Sequence, residues 1–288
     1  MAARINHIAT NSGNPRAVGT MYETIFGMWF DEELNNPASG QVLHDGNIAL
    51  NLQARAPGHR GGLDHFGIAV DNMDAVFDKL KSDYPHIEWV DRPKNCPFSG
   101  YFSHDPAGSI FALSKASDDK TGQERQVPIN FLRWKDADSS GRYLHHYAIR
   151  TKRIEECADF YEDVFSFTHA TGEGDDPNHY LSDGRVTLML IPWHIADYEG
   201  ISVTGRGPDH IGFKVEDADR LITEIRDSFS RYAPGQAPMW LFETINALSD
   251  EAQVMDGILD RACPMSRYHF TDKDGVFVVV GDKTFGEL

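Results

Sequence analysis

Residues 63–70 read LDHFGIAV, and the pattern returns three more times: INHIAT from Ile5, LHHYAIRT from Leu144 and PDHIGFKV from Pro208. Each segment sets one histidine (His7, His65, His146, His210) ahead of alternating apolar and small residues, the period of a half-buried strand. A pattern that recurs four times along one chain signals an internal repeat.

Each strand is followed by an amphipathic helical pattern. Residues 15–26 (PRAVGTMYETIF) put Val18, Met21, Tyr22 and Ile25 on one face, and residues 154–165 (IEECADFYEDVF) do the same with Cys157, Phe160, Tyr161 and Val164. Residues 72–84 and 218–229 supply the other two helices. A hairpin then closes each module, turning at Asp45-Gly46, Asp105-Pro106-Ala107-Gly108, Asp183-Gly184 and Asp272-Lys273-Asp274-Gly275. CPFSGYFSHDPAGSIFAL from Cys96 aligns without gaps to CPMSRYHFTDKDGVFVVV from Cys263, so the second half duplicates the first.

The organisation expected is α+β: four tandem βαβββ modules forming two cup-shaped half-barrel domains with helices outside. Residues 1–116 make the N-terminal pair. Residues 117–140 are a polar linker with a short strand at 129–134. Residues 141–288 make the C-terminal pair, interrupted at 233–262 by an insertion whose MWLFETINAL forms a covering helix or lid. The chain's 288 residues suit two domains.

A net charge of −17 repels phosphate backbones, so no nucleic-acid partner is expected. No apolar run reaches the roughly 18 residues a membrane helix needs. Cys96, Cys157 and Cys263 are odd in number and scattered, which argues against a disulfide framework and for a cytoplasmic protein. Without a CxxC pair, a structural thiolate zinc site is not expected.

This layout resembles the vicinal-oxygen-chelate superfamily, the group of glyoxalase I, bleomycin and fosfomycin resistance proteins and type I extradiol dioxygenases. The markers are the first-strand histidine and the DPxG-like turn before the last strand. The four-module length is most similar to the extradiol group. The resemblance implies a metal inside a cup of sheet, held by first-strand histidines and a last-strand glutamate. It further implies a dioxygenase-like oxidoreductase acting on a small phenolic, catecholic or enolic compound. A glyoxalase-like isomerase, epimerase or lyase, or a metal-free resistance-type binding protein, remains the alternative.

The sequence departs from that pattern. The glutamate position falls at Ala112 in module 2 and Val279 in module 4, and near Asn51 and Met189 in modules 1 and 3. The family's extra acid/base histidine is also missing, since the strand from Arg185 offers Val186 and Thr187. A glycine bulge in the 272–275 turn sets His269 opposite Val279, on the cup face. His146, His210 and His269 are therefore the expected catalytic and metal-ligating set, or His269 serves as acid/base beside a two-histidine metal. Iron or manganese is favoured, and zinc fits too. Tyr180, Trp240 and Phe242 are candidate substrate contacts, with Arg185 and Asn178 also near the cup.

The first half offers a rival cluster of His7, His65, His44, His104 and Asn51, read as a relic. A third arrangement pairs module 1 with module 4 and puts His7 beside His210. Strand alternation sends His145 to the helix side. A homo-oligomer is compatible with all of these.

Overall fold

The computed structural model describes residues 2–34, 40–93, 98, 100–119, 141–195, 207–232, 239–240, 257 and 261–283. Module 1 runs β1 (Ala3–Ser12), α1 (Pro15–Phe26), β2 (Trp29–Phe30), β3 (Gly40–His44), β4 (Ala49–Ala54). Module 2 runs β5 (Gly62–Val70), α2 (Met73–Asp83), β6 (Trp89–Asp91), β7 (Tyr101–His104), β8 (Ile110–Lys115). Module 3 runs β9 (Tyr143–Thr151), α3 (Ile154–Phe165), β10 (Thr168–Thr171), β11 (His179–Ser182), β12 (Thr187–Pro192). Module 4 runs β13 (Gly207–Lys214), α4 (Ala218–Tyr232), β14 (Met239–Trp240), β15 (Tyr268–Thr271), β16 (Phe277–Gly281).

Local chemistry sets the element ends. Asn14 caps α1 by accepting from the Ala17 amide at 3.1 Å, Pro15 opens the helix, and left-handed Gly27 (φ 69°) closes it. The four hairpin turns each need a positive φ, and Gly46, Gly108, Gly184 and Gly275 adopt values from 82° to 92°. Among the described residues no helix is long and apolar enough to cross a membrane. The expected strand at 129–134 and nearly all of the 233–262 insertion lie outside the described residues.

Two eight-stranded mixed sheets result, ordered β2-β3-β4-β1-β5-β8-β7-β6 and β10-β11-β12-β9-β13-β16-β15-β14. In each sheet the first strands of two modules lie side by side, antiparallel, at the centre. Module 1 thus pairs with module 2, and module 3 with module 4. The arrangement that would join His7 to His210 is corrected: β1 bonds β4 and β5, whereas β13 bonds β9 and β16.

The helix-bearing faces of the two sheets meet in one shared core. Phe26 of α1 stacks on Phe213 of β13 at 3.7 Å, and Phe66 of β5 lies 5.1 Å from Tyr147 of β9. The opposite faces form separate apolar clusters, Val42, Ala49 and Phe98 in one half and Ala148, Tyr180, Met189, Cys263 and Val279 in the other. The molecule is two cups set back to back.

Hydrogen bonds across the junction repeat with the duplication. Asp183 accepts from the Ile5 amide at 2.6 Å, and Asp45 accepts from the Leu144 amide at 2.7 Å. Tyr22 donates to Asp272 at 3.0 Å, and Tyr161 donates to Asp105 at 3.3 Å. Arg185 reaches across to the carbonyl and side chain of Asn47, so it ties hairpin to hairpin rather than lining a cup.

Burial raises the carboxyls of Asp45 and Asp105, and raises Asp272 to about 6. Ionised Asp272 is therefore disfavoured in the folded state. Its penalty is absent below about pH 4, where folded and unfolded chains are both protonated, grows as pH rises from about 4 to about 6, and is constant above that. Asp272→Asn keeps an oxygen for the Asp274 and Val276 amides. Denaturant unfolding should show this variant gaining on the wild type by on the order of 2 kcal/mol between pH 4.5 and 8. A pH-independent difference would contradict the assignment.

Candidate metal centre

The two central strands of each sheet pair with register breaks next to the histidines. Asn6 is skipped where β1 crosses β5, and Asp64 is skipped on β5. His145 is skipped on β9, and Asp209 with His210 oppose a single residue of β9. A bulge suspends the in-out alternation, so a residue beside a histidine can share its face. Each residue before a first-strand histidine then reaches that ring's Nδ1: Asn6 to His7 at 2.8 Å, Asp64 to His65 at 2.6 Å, and Asp209 to His210 at 2.6 Å. His145 Nδ1 lies 3.2 Å from His146 Nδ1, which corrects its expected place on the helix side.

The pairing leaves the Nε2 atoms facing each other, 3.1 Å apart for His146 and His210 and 3.4 Å for His7 and His65. A carboxylate only accepts, so His210 donates its Nδ1–H to Asp209 and its Nε2 lone pair stays aimed at His146. Burial would raise Asp209, but the charge of Arg150 and hydrogen bonds from His210 and Arg150 hold it at about 2. Burial, together with the neighbouring His210 and His145, keeps His146 well below the usual imidazole range.

Glycine makes room for these rings. Gly212 stands opposite His146, and a Cβ on it would lie 1.8 Å from His146 Cε1. Gly67 stands opposite His7, with the corresponding distance 2.0 Å.

His269 is paired with Val279, as the turn geometry predicts, and burial lowers it to about 4. Its ring stacks on Phe277 at 5.5 Å, and Phe277 meets His210 edge-on at 5.9 Å. Among the described residues, however, the group whose donor atoms lie within 4.8 Å of one another is His146, His210 and Cys263. His269 stands on the wall beside that group, not in it. The Cys263 sulfur is 3.6 Å from His146 Nε2, and burial raises its thiol to about 12. Cys263 lies outside the strand and helix patterns of the sequence. Its gapless alignment with Cys96 was the available signal, and Cys96 lies outside the described residues.

Tyr180 packs in the second cup with Met189 and Cys263, its hydroxyl donating to Asp176 at 2.7 Å. Asn178 instead braces the Arg261 carbonyl at 3.0 Å. Trp240 lies on β14, its backbone paired with Phe270, and Phe242 lies outside the described residues.

Among the described residues the first cup shows no such convergence. Phe98 stacks on His7 at 4.9 Å, and no third donor joins the His7–His65 pair among the described residues. The fixed charge of Arg92 acts on His7, which opposes a second cation there. His44 is held by Asp31 at 2.8 Å, and His104 by the Glu88 amide at 3.1 Å, so neither joins the pair.

Residues 143–280 match the family model described as Glyoxalase/Bleomycin resistance protein/Dioxygenase superfamily. No curated protein matches the chain by sequence. The crystal structure of the Mn(II)-bound glyoxalase from Novosphingobium aromaticivorans is similar with a TM-score of 0.62 and 14% identity, over 97% of this chain and 82% of that one. A mutant 4-hydroxymandelate synthase from Streptomyces coelicolor gives 0.58 and 15%, over 98% and 94%. A variant of homoprotocatechuate 2,3-dioxygenase from Brevibacterium fuscum gives 0.60 and 12%, over 96% and 70%. At such identities the likeness establishes the fold.

Gly212→Ala should cost about 1–3 kcal/mol in thermal unfolding and displace the His146 ring. Gly67→Ala should cost a similar amount in the first cup. Calorimetric titration with zinc should show binding lost in the first variant and kept in the second. Equal loss in both would contradict the placement of the centre.

Proposed function

We propose that the protein is a metal-dependent enzyme, because residues 143–280 match the Glyoxalase/Bleomycin resistance protein/Dioxygenase superfamily model and the first half repeats the same architecture. It takes a small phenolic or enolic compound into the second cup through two neighbouring oxygens. The observation that carries this reading is the His146–His210 pair, with Nε2 atoms 3.1 Å apart on a buried floor. Imidazole nitrogens sharing a tetrahedral ion at 2.0–2.1 Å stand about 3.3 Å apart, so the donor set fits.

A divalent ion bound there would supply Lewis-acid polarisation of the two substrate oxygens. The chain's own residues do the rest. Asp209 orients His210 through Nδ1. Met189, Val279 and the Tyr180 ring give the cup an apolar wall that excludes water and suits a planar substrate. His269 moves a proton at an imidazole nitrogen, taking it from the substrate and returning it.

The valine at position 279 favours proton transfer, as in an isomerase or lyase, over ring cleavage. It removes the carboxylate that completes a two-histidine-one-carboxylate iron site for oxygen chemistry.

Protein purified without chelators should carry about one divalent ion per chain by elemental analysis. His146→Ala and His210→Ala should lose it, and His7→Ala should keep it. Substrate turnover should proceed without oxygen uptake, and His269→Ala should lower kcat by about 10²-fold or more with metal content unchanged. Oxygen consumption with a catechol panel would shift the reading to a dioxygenase. Metal-free protein that binds aromatic compounds would overturn the enzyme reading in favour of a resistance-type binding protein.

A further inference from the structure

We propose that Cys263 is the third protein ligand of the second cup, a thiolate taking the place of the missing carboxylate. The inference rests on the metal-dependent reading above and deepens it, because it fixes which metal the site prefers.

Three observations carry it. The first is convergence: His146, His210 and Cys263 are all buried, with relative exposures of 3%, 0% and 1%, and their donor atoms lie within 4.8 Å of one another. The second is spacing. A nitrogen at 2.0–2.1 Å and a sulfur at 2.3 Å from a common tetrahedral ion stand about 3.6 Å apart. The Cys263 sulfur is 3.6 Å from His146 Nε2.

The third is preorganisation. The Cys263 turn is closed by the Ser266 amide donating to the Cys263 carbonyl at 2.9 Å. It is seated against β16, where a Cβ on Gly281 would fall 1.9 Å from the Met265 carbonyl oxygen. Asn178 anchors the approach by donating to the Arg261 carbonyl at 3.0 Å. The sulfur is delivered by fixed backbone, while Gly212 clears the space for the His146 ring beside it.

Two chemical consequences follow. Two neutral imidazoles and one thiolate leave a divalent ion with the same net charge as two imidazoles and a carboxylate, so the family's charge balance is kept. The donor is softer, however, and selects zinc over the harder manganese. Zinc has no redox chemistry, which directs the site toward proton transfer on a compound with adjacent oxygens.

The test uses the full chain loaded with zinc or cobalt(II). X-ray absorption at the zinc edge should fit one sulfur at about 2.3 Å beside nitrogen or oxygen at about 2.0 Å. The cobalt protein should show an intense near-ultraviolet thiolate-to-cobalt band that Cys263→Ser abolishes. Cys263→Asp, which offers a hard oxygen, should reduce the preference for zinc over manganese at least tenfold in competition titrations, an expectation from ligand softness. The wild-type absorption spectrum stands even if both variants fail to fold. Bound metal with only nitrogen and oxygen neighbours would overturn the thiolate while leaving the metal-dependent reading intact. Absence of bound metal would overturn both.

Discussion

The constraint on which the structure depends is the packing of a histidine ring into the space left by a missing Cβ on the adjacent strand. His146 lies over Gly212 and His7 over Gly67, each at the centre of its sheet. A register slip of one residue would turn every apolar side chain of those strands to the wrong face and drive the ring into a side chain. The strand pairing, the direction of the cup and the meeting of the two Nε2 atoms thus share one cause. The bulges beside the histidines add what regular strands cannot: an outer partner on the same face as the ring it holds.

Duplication copied this device, and divergence gave the two cups different linings. Phe102 and His269 occupy equivalent positions, paired with Ala112 and Val279 on the last strands. In the first half Phe102 meets His65 edge-on at 4.9 Å, and Phe98 covers His7. The result is a packed aromatic cup. In the second half the matching places hold His269 and Met265, and Cys263 approaches the imidazole pair. The back-to-back junction, with its mirrored aspartate and tyrosine hydrogen bonds, gives both cups one rigid base while leaving their concave faces apart.

Much of the fold was legible because its signals are local and repeated. The helices run over 15–26 and 154–165 as the apolar spacing predicts, with Met21 the one expected face residue that is only half-buried, and the turn glycines all take the positive φ their chemistry demands. His269 facing Val279 was legible too, since turn length sets register within a hairpin. What escaped the sequence depends on long-range closure. Bulges look like ordinary alternation in a string of residues, so the turning of His145 toward His146 was hidden. The polar residue before each histidine (Asn6, Asp64, His145, Asp209) was the trace they left. Cys263 enters from outside the strands, 117 positions from His146, and no periodicity reports such an approach.

The central claim is that one cup of the two holds the metal, between His146 and His210. Anomalous diffraction from crystals of protein loaded with zinc, recorded at the zinc edge, tests it most directly. The expected map has a single strong peak within bonding distance of both Nε2 atoms in the second cup. A peak between His7 and His65 instead, or no peak in either cup, would contradict it.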